Sequence, residues 1–110
     1  MVLRDFKIES ATAVTSDADV VFHVHNLAPA THEFVVVRTD LAPDQLPIGT
    51  DGLSVDEDKL HPVGEIGEVG TETTETLALH LSPGRYVFFC NLDGHYLGGM
   101  HAVLEVTGGG

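Results

Sequence analysis

Apolar and polar residues alternate with a period of two along most of this chain. A half-buried β-strand produces that period and a helix does not. Leu3 to Ile8 reads as a first strand. Val20, Phe22 and Val24 alternate with Val21, His23 and His25 in a second, which has one apolar face. His32 to Arg38 is a third, and its run Phe34-Val35-Val36-Val37 predicts burial on both faces. Leu77, Leu79 and Leu81 alternate with Ala78 and His80 in a fourth. Ser82-Pro83-Gly84 is a turn signal that leads into Arg85 to Cys90, where Tyr86, Phe88 and Cys90 share a face. Ala102, Leu104 and Val106 mark a last strand, and a weaker short one lies around Glu65 to Val69.

About six to eight short strands separated by turn signals predict an all-β fold, a β-sandwich with Greek-key connections. With 110 residues the chain fits one domain, read as 1–107 with a flexible tail at 108–110. Thr39 to Pro62 carries Pro43, Pro47, Gly49, Gly52 and Pro62, so it is expected to be mostly irregular. One or two helical turns fit Ser54 to Leu60, with Ser54 as N-cap and Asp56, Glu57 and Asp58 in the first turn, where the helix dipole favours them.

The charge balance narrows the partners. Seventeen acidic residues against 5 basic ones give a formal net charge of -12. Nucleic acid is excluded, because its binding rests on Lys and Arg neutralising phosphates. Docking to anionic lipid is disfavoured for the same reason. Met1 to Phe6 alternates polar and apolar residues and does not resemble a signal peptide, which fits either a cytoplasmic protein or a trimmed mature form. No stretch approaches the roughly 18 apolar residues of a membrane span. The single cysteine, Cys90, leaves packing and a metal to hold the fold without an intrachain disulfide.

The chemistry sits in the last third. Cys90, His95 and Met100 recur five residues apart, with Gly94, Gly98 and Gly99 between them. Cys90 ends one strand and Ala102 begins the next, so the three side chains can converge at one end of a sandwich. Each alone has an ordinary explanation: an inert core thiol, a surface imidazole, a gap-filling thioether. Together they are a ligand set. Thiolate and thioether are soft ligands that favour copper(I), imidazole suits both copper states, and two His, one Cys and a weak axial Met make a blue-copper electron-transfer site. His32 is the best candidate for the second imidazole, because it opens an apolar strand just after the loop from Leu27 to Thr31. His23 and His25 lie opposite Phe22 and Val24 and are expected to face solvent, where a second surface metal site is the sharper alternative. His61, His80 and His101 are weaker candidates.

At these residues the chain resembles the cupredoxins. His32-Glu33-Phe34 is similar to their H-x-F segment. Cys90-x4-His95-x4-Met100 is similar to their C-terminal copper loop, in the longer style of rusticyanin, auracyanin and sulfocyanin rather than plastocyanin. The resemblance runs from Phe22 to Val106 and is most specific from Tyr86 to Met100. It implies the cupredoxin β-sandwich with one type 1 copper held by His32, Cys90, His95 and Met100, the Met being axial. It also implies an extracytoplasmic place, in the periplasm or at the cell surface, with a membrane anchor in a full-length form. One departure is Glu33, where many members carry Asn, Ser or Thr that helps tie the ligand loops together. Asn91, next to the Cys, is expected to support the ligands.

The expected function is therefore single-electron transfer and not catalysis, since no acid–base pair and no open coordination position are evident. Phe34 and Leu97 are expected to shield the metal, and His95 to reach an apolar patch that serves as electron port. A monomer that docks a redox partner, such as a basic cytochrome or an oxidase, is expected; the acidic stretch from Thr39 to Pro62 reads as a solvated loop or as that docking surface. The competing reading is an extracytoplasmic copper carrier or resistance protein with the same ligands and no redox role.

Overall fold

The alternation in Val20, Phe22 and Val24 places those side chains on the inner face of β4 (Asp19–Asn26), while Val21 and His23 are exposed. The same rule builds the rest of the computed structural model, which describes residues 2–4, 7–9, 14–15, 19–28, 30–92 and 94–107. The expected tail at 108–110 lies outside the described residues. The other strands are β1 (Val2–Arg4), β2 (Lys7–Glu9), β3 (Val14–Thr15), β5 (His32–Arg38), β6 (His61–Val69), β7 (Thr74–His80), β8 (Gly84–Phe89) and β9 (His101–Val106). Six of the nine described strands are long, as expected, and three are fragments of two or three residues.

They form two sheets, ordered β2-β1-β4-β7 and β3-β9-β8-β5-β6. β5 and β6 pair as a hairpin, the chain crosses to the other sheet for β7, and β8 returns beside β5. That return is the Greek-key connection of a β-sandwich. β1 runs parallel to β4 and β3 parallel to β9, which ties the N-terminal segment to both sheets.

Burial shows why β5 and β8 are apolar on both faces. Phe34 and Val36 on β5, with Tyr86 and Phe88 on β8, point into the core between the sheets. Phe22, Phe34 and Phe88 meet there with ring centroids 5.5–5.9 Å apart. Val35, Val37, Val87 and Phe89 point the other way, into a second cluster closed by Leu46, Val55 and Tyr96. The stretch from Thr39 to Leu60 keeps Asp40, Asp44, Asp51 and Asp58 in solvent, as expected of a solvated loop, and is also anchored on the sheet through Leu46 and Val55. It lies over the outer face of the larger sheet, and covering each large apolar side chain there contributes about 1.5–3 kcal/mol.

Three local expectations change. Leu3 to Ile8 is not one strand: β1 and β2 pair antiparallel, with Leu3 opposite Ile8 and both buried. Residues an odd number apart face opposite sides of one strand, so burying both requires the reversal. The weak strand at Glu65 to Val69 is the end of the nine-residue β6. The helical segment is one 3-10 turn, Glu57–Lys59, capped by Asp56, whose side chain accepts from the Asp58 N–H. Ser54 instead donates through its hydroxyl to Asp51.

Candidate metal centre

His32 and Cys90 come from neighbouring strands that end at the same edge of the sandwich. β8 runs to Phe89, and the Cys90 N–H donates to the Met100 carbonyl at 3.1 Å, extending the β8–β9 pairing by one step. Residues 94–99 then wind through successive turns. The His95 N–H donates to the Leu92 carbonyl at 3.0 Å and the Met100 N–H to the His95 carbonyl at 3.1 Å. Gly94 at φ 78° and Gly99 at φ 111° allow the winding, since these angles are disfavoured for any residue with a Cβ.

His32 is fixed from the other side. The pairing of β5 with β6 slips between His32 and Phe34, a bulge of the kind that re-aims side chains. The Glu33 N–H, at that irregularity, donates to Cys90 Sγ at 3.3 Å. The loop before His32 is organised by Asn26, which is fully buried. Its amide donates to the carbonyls of Ala30 at 2.8 Å and Val69 at 2.9 Å, and its oxygen accepts from the Ala28 N–H at 2.9 Å. Asn26 is not among the sequence candidates, although the sequence carries a signal for it: a polar residue continuing the inward series Phe22, Val24 needs buried partners.

The result is a triangle. Nδ1 of His32 lies 3.1 Å from Nδ1 of His95, and Cys90 Sγ lies 3.6 Å and 3.5 Å from them. The point equidistant from the three atoms is about 2.0 Å from each, against metal bonds of about 2.0–2.1 Å to imidazole and about 2.3 Å to thiolate. The triangle is thus the size a transition-metal ion needs, and it is the one metal-sized group of three such side chains among the described residues. His32 and Cys90 are fully buried and His95 partly so. Met100, also fully buried, packs in the same cluster as Cys90 and Phe34. Burial pushes the Cys90 thiol up, the Leu92 and Glu33 N–H groups oppose that, and the Glu33 charge adds to it. A cation in the triangle would reverse the balance, since the thiolate is the metal-binding form.

The remaining sequence candidates sort clearly. His23 is exposed, and His25 bonds Thr74 Oγ1 through Nδ1 at 2.7 Å on the other sheet. His80 pairs with Asp19 at 2.7 Å, and His101 stacks 5.2 Å from Tyr96. Phe34 has no exposure and shares the buried cluster of Cys90 and Met100, whereas Leu97, expected to shield the metal, is 54% exposed. Leu97 lies among turn residues, outside any strand. Glu33 is partly buried, and burial first, then the charges of Glu57 and Glu65, raise its carboxyl above the usual range. Asn91 donates to the Val55 carbonyl at 3.1 Å and to Glu57 Oε2 at 2.6 Å, and accepts from the Val55 N–H at 2.7 Å.

The sequence matches the family model of the Sulfocyanin (SoxE) domain over residues 9–109. No curated protein sequence matches it. Among solved structures, dithionite-reduced auracyanin from Roseiflexus castenholzii superposes with a TM-score of 0.71 at 21% identity, covering 94% of this chain and 90% of that one. Auracyanin A, a "blue" copper protein from Chloroflexus aurantiacus, gives 0.68 at 17% identity, with 97% and 98% covered. An azurin from Methylomonas sp. strain J gives 0.66 at 16%, with 96% and 93% covered. At these identities the likeness to the solved structures is one of fold.

Proposed function

The chain belongs to the sulfocyanin (SoxE) domain family, and we propose that it is a type 1 blue copper protein that carries single electrons. The triangle of His32, Cys90 and His95 carries this reading, and Met100, buried in the same cluster as Cys90, would supply a weak thioether ligand. Copper supplies a one-electron couple when bound there, and the soft thiolate and thioether select it over harder divalent ions. The chain's own part is to hold the ligand geometry constant between oxidation states. Three features support this: ligands on paired strand ends, the N–H donation from Glu33 to Cys90 Sγ, and burial that keeps water out. In this reading the protein is an electron carrier rather than an enzyme.

Full burial of Cys90 and Met100 disfavours the copper-carrier reading, since handing on an ion requires exposed ligands. His95, partly exposed beside Leu97, is the proposed electron port. Leu53 is 45% exposed, and its carbonyl accepts from the Gly94 N–H at 2.8 Å, so it extends the apolar surface. Asp51, Asp56 and Asp58 flank it in sequence, which favours a basic partner such as a cytochrome or an oxidase. We place the protein outside the cytoplasm, acting as a monomer; no described helix is long and apolar enough to cross a membrane. Cys90→Ala abolishes copper binding and colour, and a blue Cys90→Ala protein would refute the ligand assignment. Electron transfer to a basic cytochrome slows as salt rises, and a salt-independent rate would remove the charged docking surface.

A further inference from the structure

The residue after the thiolate ligand is joined to a segment 36 residues away in sequence. The Asn91 amide engages both polar groups of Val55, accepting from its N–H and donating to its carbonyl, and also holds the Glu57 carboxylate at 2.6 Å. Val55 is itself fixed, being 4% exposed in the outer cluster and bridged to Ile48. The covering stretch is thus fastened to the core at Val55 and to the metal loop through Asn91. Glu57, with no cation but Lys59 nearby in sequence, gains a set position one side chain from Cys90.

We infer that Asn91 and Glu57 are a positioning pair for the metal centre: Asn91 clasps Val55 and holds the Glu57 carboxylate where its negative charge favours the more positive metal state. The pair also accounts for the departure at Glu33. The tie that a polar side chain beside His32 would make to the neighbouring loop is made here from the Cys90 side, and it leads to the covering stretch. Glu57 is partly buried, which limits screening by salt.

The redox half of this inference rests on the copper reading above; the clasp is a property of the apoprotein. The test uses both forms. Glu57→Gln keeps an acceptor for Asn91 and removes the charge. It raises the midpoint potential in voltammetry, lowering the preference for Cu(II) over Cu(I) by about two- to tenfold. Glu105→Gln serves as control. Glu105 is exposed and lies four residue pairs along β9 from His101, away from the metal end, so this variant leaves the potential unchanged. In the apoprotein, Asn91→Ala speeds amide exchange at Val55, and Asn91→Gln does not restore the wild-type rate, because the longer side chain cannot meet both groups of one peptide. Equal shifts for Glu57→Gln and Glu105→Gln would overturn the electrostatic role. Unchanged Val55 exchange in Asn91→Ala would overturn the clasp. A wild-type protein that binds no copper would defeat the electron-carrier reading instead, and the exchange result would still decide the clasp.

Discussion

Replacing Phe22 by Ala separates the stability of the sandwich from the integrity of the metal site. Phe22 is the aromatic side chain that the β2-β1-β4-β7 sheet contributes to the described inter-sheet core, where it meets Phe34 at 5.5 Å and Phe88 at 5.9 Å. It is 4% exposed. Truncating a buried Phe to Ala costs about 3–5 kcal/mol, depending on how far the surroundings collapse. Collapse is limited here, because β4 is paired on both sides, to β1 and β7. Each of its two ring–ring interactions is worth about 0.5–1.5 kcal/mol beyond burial, already included in that range. An unfolding entropy of about 2.1 cal/mol/K per residue turns a loss of about 4 kcal/mol into a fall in Tm of roughly 17 °C. Urea unfolding of the apoprotein measures the loss, with an unchanged m-value showing that the unfolded state is the same. Phe22→Leu, nearer in volume, loses less than about 1.5 kcal/mol. The copper spectrum of Phe22→Ala, taken well below its Tm, matches wild type, because the ligands are held by backbone hydrogen bonds and not by Phe22. A loss below about 1 kcal/mol in Phe22→Ala would refute the packing account, and an altered spectrum would refute the independence of core and site.

Asp51 accepts from the Leu53 N–H, the largest effect, and this together with its bonds from Ser54 outweighs the opposing burial and holds its carboxyl below the usual range. A folded value below the unfolded one means the stabilisation is present above the unfolded pKa and lost as pH falls through the folded one. NMR titration finds Asp51 protonating below the usual carboxylate range, and Asp51→Ala abolishes that part of the acid sensitivity. Tyr96→Phe removes a hydroxyl that donates to the Pro43 carbonyl at 2.6 Å and accepts from the Leu46 N–H at 3.0 Å. The buried Leu46 N–H is left unpaired at a cost of about 1–3 kcal/mol in denaturant unfolding. Met100→Gln retains copper and lowers its potential in voltammetry, since the axial ligand tunes a blue site; an unchanged potential would show that Met100 is not axial.

The strands that carry the ligands were legible because their cues are local. Period-two alternation marked β4 and β9, continuous apolar runs marked β5 and β8, and the five-residue spacing of Cys90, His95 and Met100 lies on one strand–loop–strand unit. His32 followed from its place at the head of an apolar strand. β6 was underread because Pro62, Gly64 and Gly67 weaken its pattern, and an edge strand tolerates them where a central one does not. The cap moved from Ser54 to Asp56 because both are capping types and Asp51 had already engaged Ser54. The covering role of the stretch from Thr39 to Leu60 had little local signal. Its fastenings, Asn91 to Val55 and Tyr96 to Pro43 and Leu46, join residues 36 to 53 positions apart. Apolar Leu46 and Val55 among prolines and acids gave the only hint.

The most direct test of the central claim is one equivalent of Cu(II) added to the apoprotein, with visible spectra recorded before and after ascorbate, on wild type and His32→Ala in parallel. The account predicts an intense blue band in wild type that bleaches with ascorbate and returns on reoxidation, and no such band in His32→Ala. A colourless wild-type protein, or a blue site that survives loss of His32, would contradict it.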